Sequence, residues 1–161
     1  MDIVLASGSP RRKELLETLG LEFTICPAKG EECPPQGMGP DETVKALSLA
    51  KAREVAQVYP EALIIAADTI VWADSRILGK PRSEAQAEEM LALLSGSSHE
   101  VYTGVTLICG EKTVCRSECT KVFFRDLSDG EIRAYVKTGE PMDKAGAYGI
   151  QGRAAMMVRR I

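Results

Sequence analysis

At 161 residues, 45% apolar and 27% charged, the chain has the length and composition of one compact domain that can bury its own core. No apolar run approaches the ~20 residues of a bilayer span and no basic stretch leads into a hydrophobic signal core, so no membrane association and a cytoplasmic location are expected. A net charge of −3 disfavours a broad nucleic-acid surface, and five scattered cysteines without a CxxC pair, beside the single His99, argue for reduced thiols and against structural zinc.

In chain order, Ile3–Ala6 reads as a strand that runs into a helix. Ser9 is its expected N-cap, Pro10 its first residue, Leu15, Leu16 and Leu19 its buried face, and Gly20 its stop. The unpaired N–H groups of that first turn, with Arg11 and Arg12 beside them, suit an anion; two solvated arginines on a capped helix fit equally well. Leu21–Cys26 is expected as a second strand and residues 27–40 as a loop rich in Pro and Gly that carries Glu31 and Glu32. A helix follows from Asp41, its N-cap, to Val58. Ala62–Ala67, bounded by Asp68, fits a buried central strand, with Thr69–Trp72 as its continuation. Residues 74–76 and 79–81 are turns. Ser83 with Gln86, and Ser128 with Glu131, form capping boxes for helices ending near Gly96 and at Gly139. Between those helices, His99–Cys109 and Lys112–Phe124 are strands of a hairpin at Gly110. Residues 142–152 read as a Gly-rich loop and Ala155–Ile161 as a last strand, which together predict an α/β or α+β domain with a mixed sheet.

Several side chains stand out chemically. Lys51 lies in the middle of an apolar stripe formed by Val44, Leu47, Val55 and Val58, so it either snorkels outward or is held inside against an anion. Asp68 ends the most hydrophobic run, where open sheets present ligand-facing groups; it could bind a divalent metal, act as a base toward water, or simply cap the next turn. Lys80 lies between Gly79 and Pro81, and Gln151 lies in the Gly-rich AGAYGIQG. Neither common nucleotide fingerprint is present, nor a Ser/His/Asp hydrolase arrangement. Four cations (Arg11, Arg12, Lys51, Lys80) with two carboxylates (Glu32, Asp68) are the residue types that metal-dependent cleavage of a phosphoanhydride needs.

Seven segments, LASGSPRRKELL (5–16), Glu31-Glu32, Lys51-Ala52, AADTIV (66–71), LGKP (78–81), HEVYTGV (99–105) and DKAGAYGIQG (143–152), occur in order over nearly the whole chain. In these the sequence resembles the Maf family of nucleoside triphosphate pyrophosphatases. The resemblance implies a single Maf-like domain over 1–161: an α/β fold with a mixed twisted sheet flanked by helices and a cleft between two lobes, similar to inosine triphosphate pyrophosphatase. It also implies metal-dependent hydrolysis of a nucleoside triphosphate to the monophosphate and pyrophosphate, with Mg²⁺ or Mn²⁺. Such enzymes are often homodimeric, keep unwanted nucleotides out of nucleic acids, and are associated with cell-division arrest. Thr69 after Asp68, the Ser-Pro-Arg-Arg form at 9–12 and Tyr148–Gly152 look like the branch that cleaves dTTP and UTP. By that resemblance Asp68 is the proton acceptor, Arg11, Thr69 and Gln151 select the substrate, Ser7, Arg12, Lys51 and Lys80 bind phosphate, and Glu32 with Asp68 holds the metal. Family members usually continue past the strand ending here at Ile161, through a Gly-Ser-Tyr turn and a Val-x-Gly-Leu-Pro segment into a final helix. Two other readings stand beside this one: a nucleotide-binding regulator with weak catalysis, and a pyrophosphatase of the 7-methyl-GTP type.

Overall fold

The computed structural model describes residues 1–30 and 36–161. Its elements are β1 (Ile3–Leu5), α1 (Pro10–Thr18), β2 (Thr24–Ile25), α2 (Pro40–Ala56), β3 (Leu63–Ala73), β4 (Arg76–Leu78), α3 (Glu84–Leu94), β5 (Ser98–Cys109), β6 (Lys112–Phe124), α4 (Asp129–Val136) and β7 (Val158–Arg160). Short 3-10 turns lie at Glu140–Asp143, Ala145–Ala147 and Arg153–Met157. The strands form a mixed sheet in the order β2-β1-β3-β5-β6-β7, with β4 paired to β3. β1 runs parallel to β2 and β3, whereas β3–β4 and β6–β7 are antiparallel, which is the mixed α/β architecture the sequence predicts. The chain divides into two compact units, residues 1–68 with 103–118 and residues 69–102 with 119–161.

In the first unit, inward positions of β1 and β3 (Val4, Ala6, Ile64, Ala66) pack with Ala52 and Val55 of α2 and Ile108 of β5. Residues two apart on a strand share a face, so this alternation commits one side of each strand to the core. The N-cap of α2 lies two residues earlier than expected. Gly39 is its N-cap and Pro40 its first residue, so Asp41 is freed to pair with Lys45 at 2.6 Å and to accept a hydrogen bond from the Ser117 hydroxyl. These bonds, Lys45 first, hold the Asp41 carboxyl below its ordinary range. Gly104 of β5 lies against the α2 backbone: a Cβ there would sit 2.5 Å from the Val44 carbonyl carbon, so only glycine lets strand and helix approach this closely. The expected buried face of α1 is absent. Leu15 and Leu19 are 62% and 70% exposed, Leu16 is half-buried, and none of the helix's nine residues is fully buried. Ser9 is the N-cap residue, yet its side chain makes no capping bond. β2 is also shorter than expected, with two residues.

In the second unit, α3 and α4 supply Leu91, Leu94, Ile132, Tyr135 and Val136 to a core shared with Phe124 and Met157. The Ser128 box is reciprocal: the serine hydroxyl accepts from the Glu131 N–H and the Glu131 carboxylate accepts from the Ser128 N–H. The Arg125 guanidinium also binds Glu131 and, with these bonds, holds its carboxyl down at about 2. The Ser83 box is only half formed. Ser83 caps the Gln86 N–H at 3.1 Å, but the Gln86 side chain reaches past it to the Arg82 N–H at 2.7 Å. Of the expected turn at 74–76, Asp74 and Ser75 form it, at φ of 51° and 56°, whereas Arg76 already belongs to β4, an unexpected strand that closes a hairpin with β3. The expected strand from Ala155 begins only at Val158, because a 3-10 turn takes the preceding residues.

Candidate active site

Five of the residues singled out by sequence fall in the first unit: Ser7, Arg11, Arg12, Lys51 and Asp68. Ser7, buried just after β1, accepts hydrogen bonds through Oγ from Arg12 Nη1 at 3.0 Å and from the Ser9 N–H at 3.3 Å. Arg12 Nη1 also donates to the Ala67 carbonyl at 2.8 Å, which ties the first turn of α1 to β3 one residue before Asp68. Arg11 is half-buried in the same turn.

Lys51 is held inside. Its neighbours Val44, Leu47 and Val55 are buried as the periodicity requires, and its ammonium pairs with the Asp68 carboxylate. The two side chains are only 18% and 7% exposed. Val58, the expected end of the stripe, lies beyond the helix and is 65% exposed. The ion pair is electrostatic rather than a well-aligned hydrogen bond, since Asp68 Oδ2 has no hydrogen-bond partner among the described residues. Glu54, which the motifs did not single out, lies three positions along α2 from Lys51. It accepts from the Lys29 and Gly30 N–H groups at 2.6 and 3.0 Å, fastening the segment after β2 to the helix. Those two backbone donors keep its carboxyl below the ordinary range. Its place one helical turn after Lys51 was the available signal. Glu32, expected to hold metal, lies outside the described residues, as do Glu31 and Cys33.

Thr69, Lys80 and Gln151 fall in the second unit. Thr69 follows Asp68 directly on β3 and is half-buried; successive residues of a strand point to opposite faces. Lys80 and Gln151 are exposed. Their segments are joined, because the Gly79 carbonyl accepts from the Gly146 N–H at 3.1 Å. Asp143 lies within the Gly-rich segment, its carboxyl lowered mainly by its hydrogen bond to Lys144 and slightly by the charge of Lys80. Tyr148, three residues before Gln151, is buried, and its hydroxyl lies 2.6 Å from His99 Nε2. Phe124 meets both rings edge-on, at centroid distances of 5.0 and 4.8 Å.

The donor set bears on the expected metal. Among the described residues no three His, Cys, Asp or Glu side chains converge. Mg²⁺ commonly takes only one or two protein carboxylates, completing its shell with water and substrate phosphates. Asp68 supplies one buried carboxylate of the kind such a shell uses, with its Oδ2 also facing the Lys51 ammonium.

The sequence matches the family described as "Maf-like protein" over residues 2–161. The chain belongs to the Maf family. A relative from Bacillus cytotoxicus named "dTTP/UTP pyrophosphatase" is 52% identical over 158 residues, covering 98% of this Maf chain and 83% of the relative. One of the same name from Bacillus cereus is 52% identical over 159 residues, covering 99% and 83%. Among solved structures, the Ham1 protein of Staphylococcus aureus aligns with a TM-score of 0.54 at 13% identity, over 99% of this chain and 92% of that one. The HAM1 protein of Coxiella burnetii aligns at 0.52 and 19% identity, over 98% and 91%. These two show a shared fold. No helix among the described residues is long and apolar enough to cross a membrane.

Proposed function

We propose that this Maf-family chain hydrolyses dTTP and UTP to the nucleoside monophosphate and pyrophosphate, with Asp68 accepting a proton from the attacking water. Support comes from family membership, from relatives of that name at 52% identity, and above all from the buried Lys51–Asp68 pair. That pair puts a proton-accepting carboxylate beside a cation in a place from which water is largely excluded, where charge interactions are strong. Water adds to phosphorus, the α–β phosphoanhydride bond breaks, pyrophosphate leaves with the bonding electron pair, and the proton passes to an Asp68 oxygen. Arg12, braced by Ser7 and the Ala67 carbonyl, is oriented in advance and loses little freedom when it meets phosphate. Lys51, already desolvated against one anion, can share its charge with a phosphate oxygen. By family resemblance the exposed Lys80 binds phosphate, and Arg11, Thr69 and Gln151 distinguish the nucleotide. Mg²⁺ or Mn²⁺, when bound, neutralises phosphate charge, and Asp68 is the described residue that would hold it.

A nucleotide panel assayed for pyrophosphate with Mg²⁺ and with Mn²⁺ tests this reading. UTP and dTTP should turn over at least about tenfold faster than 7-methyl-GTP, a modest discrimination for a base pocket. Faster turnover of 7-methyl-GTP would assign the other branch. A melting shift with UTP but no pyrophosphate would leave a nucleotide-binding regulator.

A further inference from the structure

We propose that Glu140 is a positioning residue for Gln151, and that selectivity among nucleobases depends on it. This rests on the reading of Gln151 as a side chain that meets the base. Gln151 is the third residue of a tight turn closed by the Gly152 N–H donating to the Gly149 carbonyl at 3.0 Å. The C-terminal end of that turn leads to a carboxylate. Glu140 Oε2 accepts from the Arg153 N–H at 3.2 Å. Glu140 Oε1 accepts from the Tyr135 hydroxyl at 3.1 Å. The backbone that leaves the turn after Gln151 is therefore tied to Glu140, while the Gln151 side chain stays exposed.

Gly152 completes the clamp. Its φ of −101° is open to any L-residue, so its backbone does not demand glycine. The carboxylate does: a Cβ at Gly152 would lie 2.7 Å from Glu140 Cδ and overlap Oε1. Glu140 is itself braced from behind. Its N–H donates to Thr138 Oγ1 at 3.2 Å, its carbonyl accepts from Lys144 Nζ at 3.0 Å, and Tyr135 is buried in the core. An amide side chain can turn over to match either a donor or an acceptor on a base edge. Its discrimination therefore depends on how firmly its backbone is held.

The test compares kcat/KM for UTP against CTP and GTP in wild type, Q151A, E140A, E140Q, G152A and the E140A/Q151A double variant, with Tm recorded for each. Q151A should reduce the UTP preference about tenfold or more, E140A should do nearly the same, and the double variant should be no worse than Q151A alone, because both remove one interaction. E140Q, whose amide can still accept from Arg153 and donate to Tyr135, should retain the preference within about threefold. G152A should lose it by displacing the carboxylate, and it carries the test with E140Q should E140A fail to fold. A preference unchanged in both E140A and G152A, with only Tm lowered, would overturn the positioning role. So would losses from E140A and Q151A that multiply in the double variant. A preference unchanged in Q151A would instead overturn the reading of Gln151 on which the role rests.

Discussion

Replacing Asp68 with asparagine should lower pyrophosphate release roughly 10²–10⁴-fold, the range associated with losing a positioned general base. Asparagine has nearly the same shape but cannot take up a proton at that oxygen. The substitution also removes the Asp68 charge that faces the Lys51 ammonium, which is only 18% exposed. Stability should therefore fall as well, because a largely buried charge that loses a neighbouring counter-charge keeps its desolvation cost. The two effects separate in the double variant K51M/D68N. Removing the ammonium as well takes away the charge that faced Asp68, so Tm should rise above that of D68N while turnover stays lost. Steady-state kinetics and thermal melts of the three proteins check this. Near-wild-type turnover in D68N would remove Asp68 from the chemistry, and turnover that recovers along with Tm would reduce its role to a structural one.

Acid should destabilise the second unit through its one histidine. His99 is 2% exposed, its Nδ1 has no hydrogen-bond partner among the described residues, and burial pushes its pKa down to about 4. A proton added to the ring would place charge among Phe124 and Tyr148 and leave an N–H without an acceptor. Unfolded histidine titrates near 6.5, so the unfolded chain binds the proton before the folded one does. This contribution is complete above about pH 6.5, declines as pH falls from there to about 4, and changes no further below that. Over the whole window the loss is about 3 kcal/mol, an order-of-magnitude figure. Between about pH 6.5 and 5 the unfolded carboxylates remain ionised, so His99 dominates there. By pH 5 the loss is about 2 kcal/mol, equal to roughly 4–8 °C in Tm for a chain of this size. H99F should flatten that slope although it forfeits the bond to Tyr148. An equal slope in wild type and H99F would show that His99 is protonated at the same pH folded and unfolded.

The parts of the fold legible in the sequence were those set by local chemistry. Pro10 at a helix start, the Ser128–Glu131 box and the long β5–β6 hairpin depend on neighbouring residues alone, and they are where expected. Elements that depend on what a face meets were less legible. The Leu15, Leu16 and Leu19 spacing has helical period, yet periodicity reports only that an apolar face exists; the structure leaves Leu15 and Leu19 exposed. Asp41 has the side chain of an N-cap, but Pro40 favours the first helical position and moved the cap to Gly39. β4 is too short for an alternation pattern and depends on the Asp74–Ser75 turn and pairing with β3.

The candidate site divides along similar lines. Lys51 on an apolar stripe and Asp68 at a strand run both carried visible signals, and their pairing resolves the choice between snorkelling and burial. Glu140 carried none, because its neighbours Tyr135, Gly152 and Arg153 are brought to it only by the fold.

The most direct measurement is the identity of the products from UTP, resolved by phosphorus NMR, with D68N run in parallel. Equal amounts of UMP and pyrophosphate from wild type, with almost none from D68N, are the predicted result. UDP with inorganic phosphate, or the same products at the same rate from D68N, would contradict α–β cleavage dependent on Asp68.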